Sequence, residues 1–230
     1  MSILTGIDIG GTKCAVINGN ADGTIIEKIK IQTTTYQQTM NEIISALDKM
    51  GVGDCIGISC GGPLDEKQGI IMSPPNLPNW DNVHICQMLS SRYNVPVAIR
   101  NDANACALAE WKFGAGVGKE NLVFMTFGTG LGAGLILNGK LYSGSTGNAG
   151  EVGHFGLSPF GPSGYGKNGS FEGFCSGGGI ARLACQMAER CKKLPAYMQK
   201  VGGRYEITTK KLAQEAFAGD KFAKRVFAKS

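Results

Sequence analysis

Two glycine-threonine turns decide the fold of this chain: Asp8-Ile9-Gly10-Gly11-Thr12-Lys13 near its beginning and Phe127-Gly128-Thr129-Gly130-Leu131-Gly132 near its middle. Each turn follows an apolar run that is typical of a strand and precedes a second such run, which ends in Asn-Gly. A tight glycine turn offers unobstructed backbone N–H groups and a threonine hydroxyl, which suit anionic oxygens such as phosphate. The two turns together would clamp a nucleoside triphosphate.

A plain β-hairpin that binds nothing is the alternative interpretation of either turn alone. The spacing of a P-loop is absent, and no helix follows directly, as the dinucleotide-binding fingerprint requires. The repetition of the same strand-turn-strand unit favours phosphate binding for the pair.

The composition excludes several classes of protein. The 230 residues include 35 glycines without a G-X-Y period and eight cysteines without a C-x-x-C pair, which is typical of an ordered protein with free thiols in a reducing compartment. The net charge of +5 comes from scattered lysines without interleaved aromatic residues, and no apolar stretch reaches about 18 residues. We therefore expect a soluble, cytoplasmic protein that binds neither nucleic acid nor membrane.

Alternating strand and helix patterns predict an α/β fold with two domains. The apolar spacing predicts helices over about 36–50, 83–93, 103–112, 178–194, 209–218 and 220–230. A glycine-rich stretch from Phe113 to Gly118 is the best candidate for a hinge. We expect an N-terminal domain over residues 1–113 and a second domain over residues 114–230, which includes a long glycine-rich loop from Ser143 to Gly169.

A polar cluster lies between the two turns, where a predicted strand ends and a helix begins. It comprises Asn101, Asp102 and Asn104. Asp102 alone would serve as a helix cap, a common role worth about 1 kcal/mol. Capping does not explain three polar side chains at the carboxyl end of a strand, where α/β sheets gather their ligands.

A second polar group follows the second turn and comprises Glu151, His154 and Glu172. A histidine beside a glutamate is more often structural than functional. His154 is nevertheless a better candidate for a ligand-binding residue than His84, which lies on a predicted amphipathic helix with a surface or interface role.

Six motifs occur in one characteristic order: Asp-x-Gly-Gly-Thr-Lys at 8–13, Ser-Cys-Gly-Gly-Pro at 59–63, Ser-Pro-Pro-Asn-Leu-Pro-Asn-Trp at 73–80, Asn-Asp-Ala-Asn at 101–104, Gly-Thr-Gly-Leu-Gly-Ala-Gly at 128–134 and Glu-Val-Gly-His at 151–154. The ordered set resembles the ROK sugar kinases, a family of bacterial-type glucokinases, fructokinases and N-acetylhexosamine kinases. The resemblance covers about residues 3–230. It implies an actin-like, hexokinase-like ATPase fold, with two ribonuclease-H-like domains around a cleft.

The resemblance also implies a role for each matching residue. Asp102 would be the general base that takes a proton from a sugar hydroxyl as it attacks the γ-phosphate of ATP. Asp8 would orient Mg²⁺, through water. Two sets of contacts complete the site: Gly62, Pro63, Asn101, Asp102, Glu151, His154 and Glu172 for the sugar, with Asn76 as a further candidate, and Gly11, Thr12, Lys13, Thr129 and Gly130 for ATP. The expected partners are ATP and a hexose, and a homodimer stays open.

The sequence departs from the family pattern at a zinc motif. Many members carry three cysteines that bind a structural zinc together with the histidine of the Glu-Val-Gly-His motif. This chain has Ser163, Tyr165 and Ser170 at the thiol positions, and Cys175 lies too far along to restore three ligands. Neutral hydroxyls do not replace thiolates in a tetrahedral zinc site, so we expect no zinc and a loop that is ordered by turns and packing.

The second departure is length, because kinases of the family continue beyond the point where this chain stops. We therefore expect an incomplete second domain that lacks part of the adenosine pocket and leaves a sheet edge exposed.

The leading hypothesis is an ATP-dependent hexose kinase that acts on the 6-hydroxyl of a glucose-like sugar. Pro63 favours a neutral hexose, because some amino-sugar kinases of the family have a larger polar residue there. A sugar-binding regulator of the same family is the main alternative, but it normally carries an N-terminal helix-turn-helix module, whereas the first strand here begins at Ile3. An actin-like nucleotide switch would explain the two turns but not the two polar clusters.

Overall fold

A computed structural model of the chain describes residues 2–200 and 206–230. In chain order its elements are β1 (Ile3–Ile9), β2 (Lys13–Asn20), β3 (Ile25–Gln32), α1 (Tyr36–Met50), β4 (Ile56–Cys60), β5 (Leu64–Asp65), β6 (Ile70–Ile71), α2 (Ile85–Tyr93), β7 (Val97–Asn101), α3 (Asp102–Phe113), β8 (Leu122–Phe127), β9 (Leu131–Leu137), β10 (Lys140–Leu141), a 3-10 turn (Val152–His154), β11 (Ser163–Gly164), β12 (Lys167–Asn168), α4 (Phe171–Cys175), α5 (Gly177–Glu189), α6 (Ala196–Lys200), α7 (Thr209–Phe217) and α8 (Lys221–Phe227).

The main sheet is mixed and has the order β3-β2-β1-β4-β7. The first three strands in the chain form antiparallel pairs, whereas β1 pairs with β4 and β4 with β7 in parallel. Strands β8, β9 and β10 form a second sheet with β9 in the middle, and β5–β6 and β11–β12 are short antiparallel hairpins. This architecture confirms the α/β fold class that the sequence predicts.

The core beside the main sheet follows from buried residues that alternate along the strands and from apolar residues at helical spacing in α1. In β1, Thr5, Ile7 and Ile9 are buried while Asp8 is exposed, as a period of two requires. Helix α1 begins after Thr35, whose side chain accepts a hydrogen bond from the backbone of Gln38. Its apolar side chains at helical spacing pack with the strands in one cluster, which includes Met40, Ile43, Leu47, Ile58 and Leu89.

The chain forms two compact units, one of Met1–Leu122 and Leu135–Gly147, the other of Val123–Gly134 and Asn148–Ser230. The first unit thus extends beyond the expected boundary at residue 113, because the chain after α3 folds back on that helix. The indole nitrogen of Trp111 donates to the carbonyl of Lys119 at 2.6 Å, and the amide of Gly139 donates to the carbonyl of Glu120 at 2.8 Å. The division into domains stays a prediction.

The second unit has its own helical core. Helices α5, α7 and α8 contribute buried apolar side chains to one cluster, among them Leu183, Leu212, Phe222 and Val226. None of the helices in residues 2–200 and 206–230 combines the length and the apolar character that crossing a membrane requires.

Two expectations about local structure were wrong. The helix expected over 178–194 ends at Glu189 and is preceded by the short helix α4. His84 lies just before α2 rather than within it. The glycine-rich loop of residues 143–169 contains the 3-10 turn and the β11–β12 hairpin, because turn residues with left-handed backbone, such as Tyr165 and Gly166, allow tight reversals.

A buried polar network joins β1 and β2 to the segment after α1. The hydroxyl of Thr5 donates to the side-chain oxygen of Asn18 at 2.7 Å and accepts a hydrogen bond from the amide of Gly53 at 2.9 Å. The side-chain nitrogen of Asn18 donates to the carbonyl of Gly51 at 2.9 Å. Thr5 and Asn18 are 3% and 7% exposed, so water cannot replace these partners.

We predict that Thr5→Val destabilises the protein by about 1–3 kcal/mol, because it leaves the amide of Gly53 and the oxygen of Asn18 unpaired. The measurement is the midpoint of urea unfolding. Thr34→Val is the matched control, since Thr34 is exposed and the same methyl-for-hydroxyl exchange there should leave the midpoint unchanged. Equal midpoints for the two variants would contradict the prediction.

Candidate active site

The first glycine turn joins β1 to β2 and is packed against another loop. A Cβ atom at Gly11 would lie 2.5 Å from the carbonyl oxygen of Asn76, so only glycine fits there. The carbonyl of Thr12 accepts hydrogen bonds from the amide of Thr33 at 3.1 Å and from the side chain of Gln32 at 2.7 Å. The turn is therefore fixed, while the side chains of Thr12 and Lys13 remain exposed. A fixed turn with an exposed hydroxyl and ammonium suits an anion.

The second glycine turn is held from both ends by the segment that contains α4 and α5. The amide of Gly177 donates to the carbonyl of Gly128 at 2.8 Å. The Glu172 carboxylate accepts a hydrogen bond from the amide of Leu131 at 3.0 Å. A Cβ atom at Gly130 would lie 2.8 Å from the same carboxylate oxygen, so the close approach needs glycine. The sequence did not predict this contact of Glu172.

Asp102 lies at the junction of β7 and α3 with one carboxylate oxygen engaged locally. Asn101 is the residue that caps α3, and its side-chain oxygen accepts a hydrogen bond from the amide of Ala103 at 3.0 Å. One oxygen of Asp102 accepts from the same amide at 2.8 Å. Asp102 is exposed, and its other oxygen points toward Gly61, lying 4.0 Å from where a Cβ atom of that glycine would be. Asp102 thus shares in capping and keeps a second oxygen for other chemistry.

The Gly62–Pro63 turn lies beside this junction. A Cβ atom at Gly62 would be 3.7 Å from the side-chain nitrogen of Asn101. The carboxylate of Glu66, three residues after Pro63, accepts a hydrogen bond from the amide of Asn101 at 2.8 Å. The first unit therefore brings together the predicted residues Gly62, Asn101 and Asp102. Sequence reasoning missed Glu66, because no motif or spacing links it to residue 101.

The buried thiol of Cys60 lies near two carboxylates at this edge of the sheet. Burial, reinforced by the negative charges of Asp102 and Asp8, raises the pKa of Cys60 to about 12. Cys60 therefore stays a protonated thiol at neutral pH and is not a nucleophile. Asp8 is exposed near the end of β1, on the same edge of the sheet.

Glu151 and His154 come together on the 3-10 turn of the second unit. The imidazole Nε2 of His154 lies 3.7 Å from a carboxylate oxygen of Glu151, and both side chains are about half exposed. Gly153 between them packs so tightly that a Cβ atom would lie 2.3 Å from the carbonyl of Leu131 and 3.3 Å from Cβ of Glu172. Two half-exposed polar side chains thus lie at a turn that is anchored to the second glycine turn.

The stretch that contains Ser163, Tyr165 and Ser170 is held by a short hairpin and by hydrogen bonds between side chains and the backbone. Ser163–Gly164 pairs with Lys167–Asn168, and the ammonium of Lys167 donates to the carbonyl of His154 at 2.8 Å. The fully buried hydroxyl of Ser170 donates to the carbonyl of Gly164 at 3.3 Å and accepts from the amide of Gly173 at 3.0 Å. In the part of the chain that the structure describes, no three His, Cys, Asp or Glu side chains converge in a way that could hold a metal ion.

Similarity to characterised proteins extends over most of the chain. The glucokinase of Streptomyces coelicolor is 36% identical over 193 residues, which are 82% of this chain and 61% of that protein. The glucokinase of Thermotoga maritima is 34% identical over 229 residues, which are 96% of this chain and 71% of that protein. This chain therefore spans only part of the length of these relatives.

The fold has close counterparts among solved structures. A ROK family glucokinase from Streptomyces griseus, determined in complex with glucose and AMPPNP, superposes with a TM-score of 0.74 at 32% identity, covering 98% of this chain and 74% of that one. The family model described as the ROK family matches residues 4–229. The chain belongs to the ROK family and has its actin-like, hexokinase-like fold.

Proposed function

We propose that this protein is an ATP-dependent sugar kinase that transfers the γ-phosphate to a hexose hydroxyl, O6 of a glucose-like sugar. The observation that carries the proposal is the exposed Asp102, with only one carboxylate oxygen bound to the amide of Ala103, at the edge of the sheet where the first glycine turn and the Gly62–Pro63 turn also emerge. Membership of the ROK family and the glucokinases among the relatives support it.

In this proposal Asp102 removes the proton of the attacking sugar hydroxyl. Its second oxygen would accept that proton, while the oxygen bound to the amide of Ala103 keeps the carboxylate in place. Phosphoryl transfer depends mainly on positioning and on neutralising phosphate charge, so one base together with two phosphate-binding turns is a sufficient set of parts. Asn101 and the Gly62–Pro63 turn would orient the sugar beside the base.

ATP and Mg²⁺ are the proposed cofactors. The backbone of Gly11 and Gly130 and the side chains of Thr12, Lys13 and Thr129 would hold the phosphates. The exposed carboxylate of Asp8 fits Mg²⁺, whose preferred ligands are carboxylate oxygens and water, and the ion would neutralise charge on the phosphates. In the second unit Glu151, His154 and Glu172 are the proposed sugar contacts. The homodimer stays a prediction.

We predict that Asp102→Asn lowers kcat by about 10²-fold or more, because an amide cannot accept the hydroxyl proton. The measurement is a coupled assay of ADP production by the full-length protein with a panel of hexoses. Sugar binding by calorimetry should persist in the variant.

The matched control is Asp48→Asn, which removes an exposed carboxylate paired with Arg92 at 2.8 Å. Such surface pairs contribute little, so its activity should equal that of the wild type. Full activity of Asp102→Asn would exclude the proposed base. Failure of every sugar to raise ADP production by the wild type would favour a regulator or a nucleotide switch.

We predict that Glu172→Ala weakens the binding of a non-hydrolysable ATP analogue by about tenfold, equivalent to about 1.4 kcal/mol. The variant loses the acceptor for the amide of Leu131, and a hydrogen bond to a charged group contributes about 1.5–3 kcal/mol. Glu172→Gln keeps an acceptor oxygen and should lose much less affinity in the same calorimetric titration.

Glu151→Ala is the control for this measurement, because Glu151 pairs with His154 and is proposed to bind sugar only. It should weaken sugar binding and leave the affinity for the ATP analogue unchanged. Equal losses of analogue affinity in Glu172→Ala and Glu151→Ala would contradict a specific role for Glu172 at the glycine turn.

We predict that the purified protein contains less than about 0.1 zinc per chain, since Ser163, Tyr165 and Ser170 supply hydroxyls rather than thiolates. The measurement is elemental analysis by mass spectrometry. EDTA should leave the melting temperature unchanged, because the β11–β12 hairpin and the hydrogen bonds of Ser170 already order the loop. Stoichiometric zinc would overturn this prediction.

A further inference from the structure

Glu66 meets three donors of the segment that carries Asp102. We propose that Glu66 is a positioning residue that fixes the junction of β7 and α3, and thereby the orientation of Asp102; this role rests on the proposed kinase function. Its carboxylate accepts a hydrogen bond from the amide of Asn101 at 2.8 Å and from the side-chain nitrogen of Asn104 at 3.5 Å. The second carboxylate oxygen lies 3.8 Å from Nε of Arg100.

Burial makes these contacts stronger than they would be at the surface. The side chain of Glu66 is 15% exposed, whereas that of Arg100 is 40% exposed. A carboxylate that is largely removed from water needs donors, and hydrogen bonds to an ionised acceptor are about twice as strong as neutral ones. The interaction is thus mainly between a shielded carboxylate and backbone and amide N–H groups.

The amide that Glu66 holds belongs to the residue before Asp102. Asn101 also caps α3, and its side-chain oxygen shares the amide of Ala103 with one oxygen of Asp102. Rotation of the peptide group of Asn101 would shift both of these contacts. Holding this N–H group therefore helps to hold the backbone from which the side chain of Asp102 projects.

The buried side chain of Asn104 gives independent support for the positioning role of Glu66. It is 2% exposed, and within the described residues its side-chain oxygen has no hydrogen-bond partner. The carboxylate of Glu66 is therefore the acceptor for the side-chain nitrogen of this buried amide. Without the carboxylate, the nitrogen would lose that hydrogen bond.

The hairpin that presents Glu66 also connects the base to the turn proposed to contact the sugar. Strand β5 begins immediately after Pro63 and pairs with β6, and one oxygen of Asp65 accepts hydrogen bonds from the amides of Lys67 at 3.1 Å and Gln68 at 2.9 Å. This local turn directs Glu66 toward β7. The Gly62–Pro63 turn and the Asp102 junction are thus joined through one short hairpin.

The experiment compares Glu66→Ala and Glu66→Gln in the full-length protein. In Glu66→Ala we expect kcat to fall by about 10- to 100-fold, because small displacements of a catalytic group have effects of this size. KM for ATP should stay within about twofold of the wild type. Glu66→Gln keeps one acceptor for the amide of Asn101 and should recover much of the lost kcat. Glu42→Ala, an exposed change on α1, should behave as the wild type.

A double variant separates positioning from a general loss of stability. If Glu66 acts through Asp102, adding Glu66→Ala to Asp102→Asn should lower the residual kcat by less than about twofold. A purely structural role would lower kcat by the same factor in both backgrounds. Equal losses in the two backgrounds, or a kcat of Glu66→Ala equal to that of Glu42→Ala, would overturn the inference.

A measurement without substrate keeps the test independent of the kinase proposal. The amide proton of Asn101 should move upfield and exchange faster in the NMR spectrum of Glu66→Ala, since it loses a charged acceptor. Glu66→Gln should give intermediate values and serves as the test should the alanine variant fail to fold. An unchanged Asn101 resonance in either variant would overturn the inference, whereas absence of sugar-dependent ADP production by the wild type would contradict only the proposed function.

Discussion

The parallel pairing of β1, β4 and β7 is the constraint on which the candidate site of the first unit depends. Ile9 lies beside Cys60, and Cys60 lies beside Asn101, so the three strands end at one edge. Each segment that follows one of these strands contains residues of the proposed site. These segments are the first glycine turn, the Gly62–Pro63 turn and the start of α3. Carboxyl ends of parallel strands gather ligands in α/β proteins for this reason. A shift of register would separate Asp102 from both turns.

Close approach, rather than unusual backbone angles, explains the most important glycines. Gly11, Gly130 and Gly153 are not among the glycines with left-handed backbone. Each of them is instead pressed against a neighbour: the carbonyl of Asn76, the carboxylate of Glu172 and the carbonyl of Leu131. A side chain at any of these positions would displace a backbone segment or a carboxylate. The glycines of the motifs thus allow the turns to pack closely against their neighbours, and they also leave backbone N–H groups accessible to a ligand.

Local patterns predicted much of this fold, and long-range contacts account for the rest. Helix α1 has the predicted bounds, because its threonine cap and its regular apolar spacing are both local features of the sequence. The polar cluster at Asn101–Asp102 was also predicted, since it lies where a strand meets a helix. The contact of Glu66 with Asn101 joins residues 35 apart, and that of Glu172 with Leu131 joins residues 41 apart. No periodicity encodes such pairs, because they depend on how segments distant in the sequence pack against one another.

The loop that leads into α4 shows how hydrogen bonds between side chains and the backbone can organise a site. Ser170 is fully buried, and its hydroxyl both caps α4 and binds the carbonyl of Gly164 on the β11–β12 hairpin. Helix α4 carries Glu172, whose carboxylate reaches the amide of Leu131 at the end of the second glycine turn. Helix α4 therefore connects the ordered loop to the second glycine turn. A hydroxyl at position 170 suits this task, because it can donate and accept at once, whereas a zinc-bound thiolate would be committed to the metal.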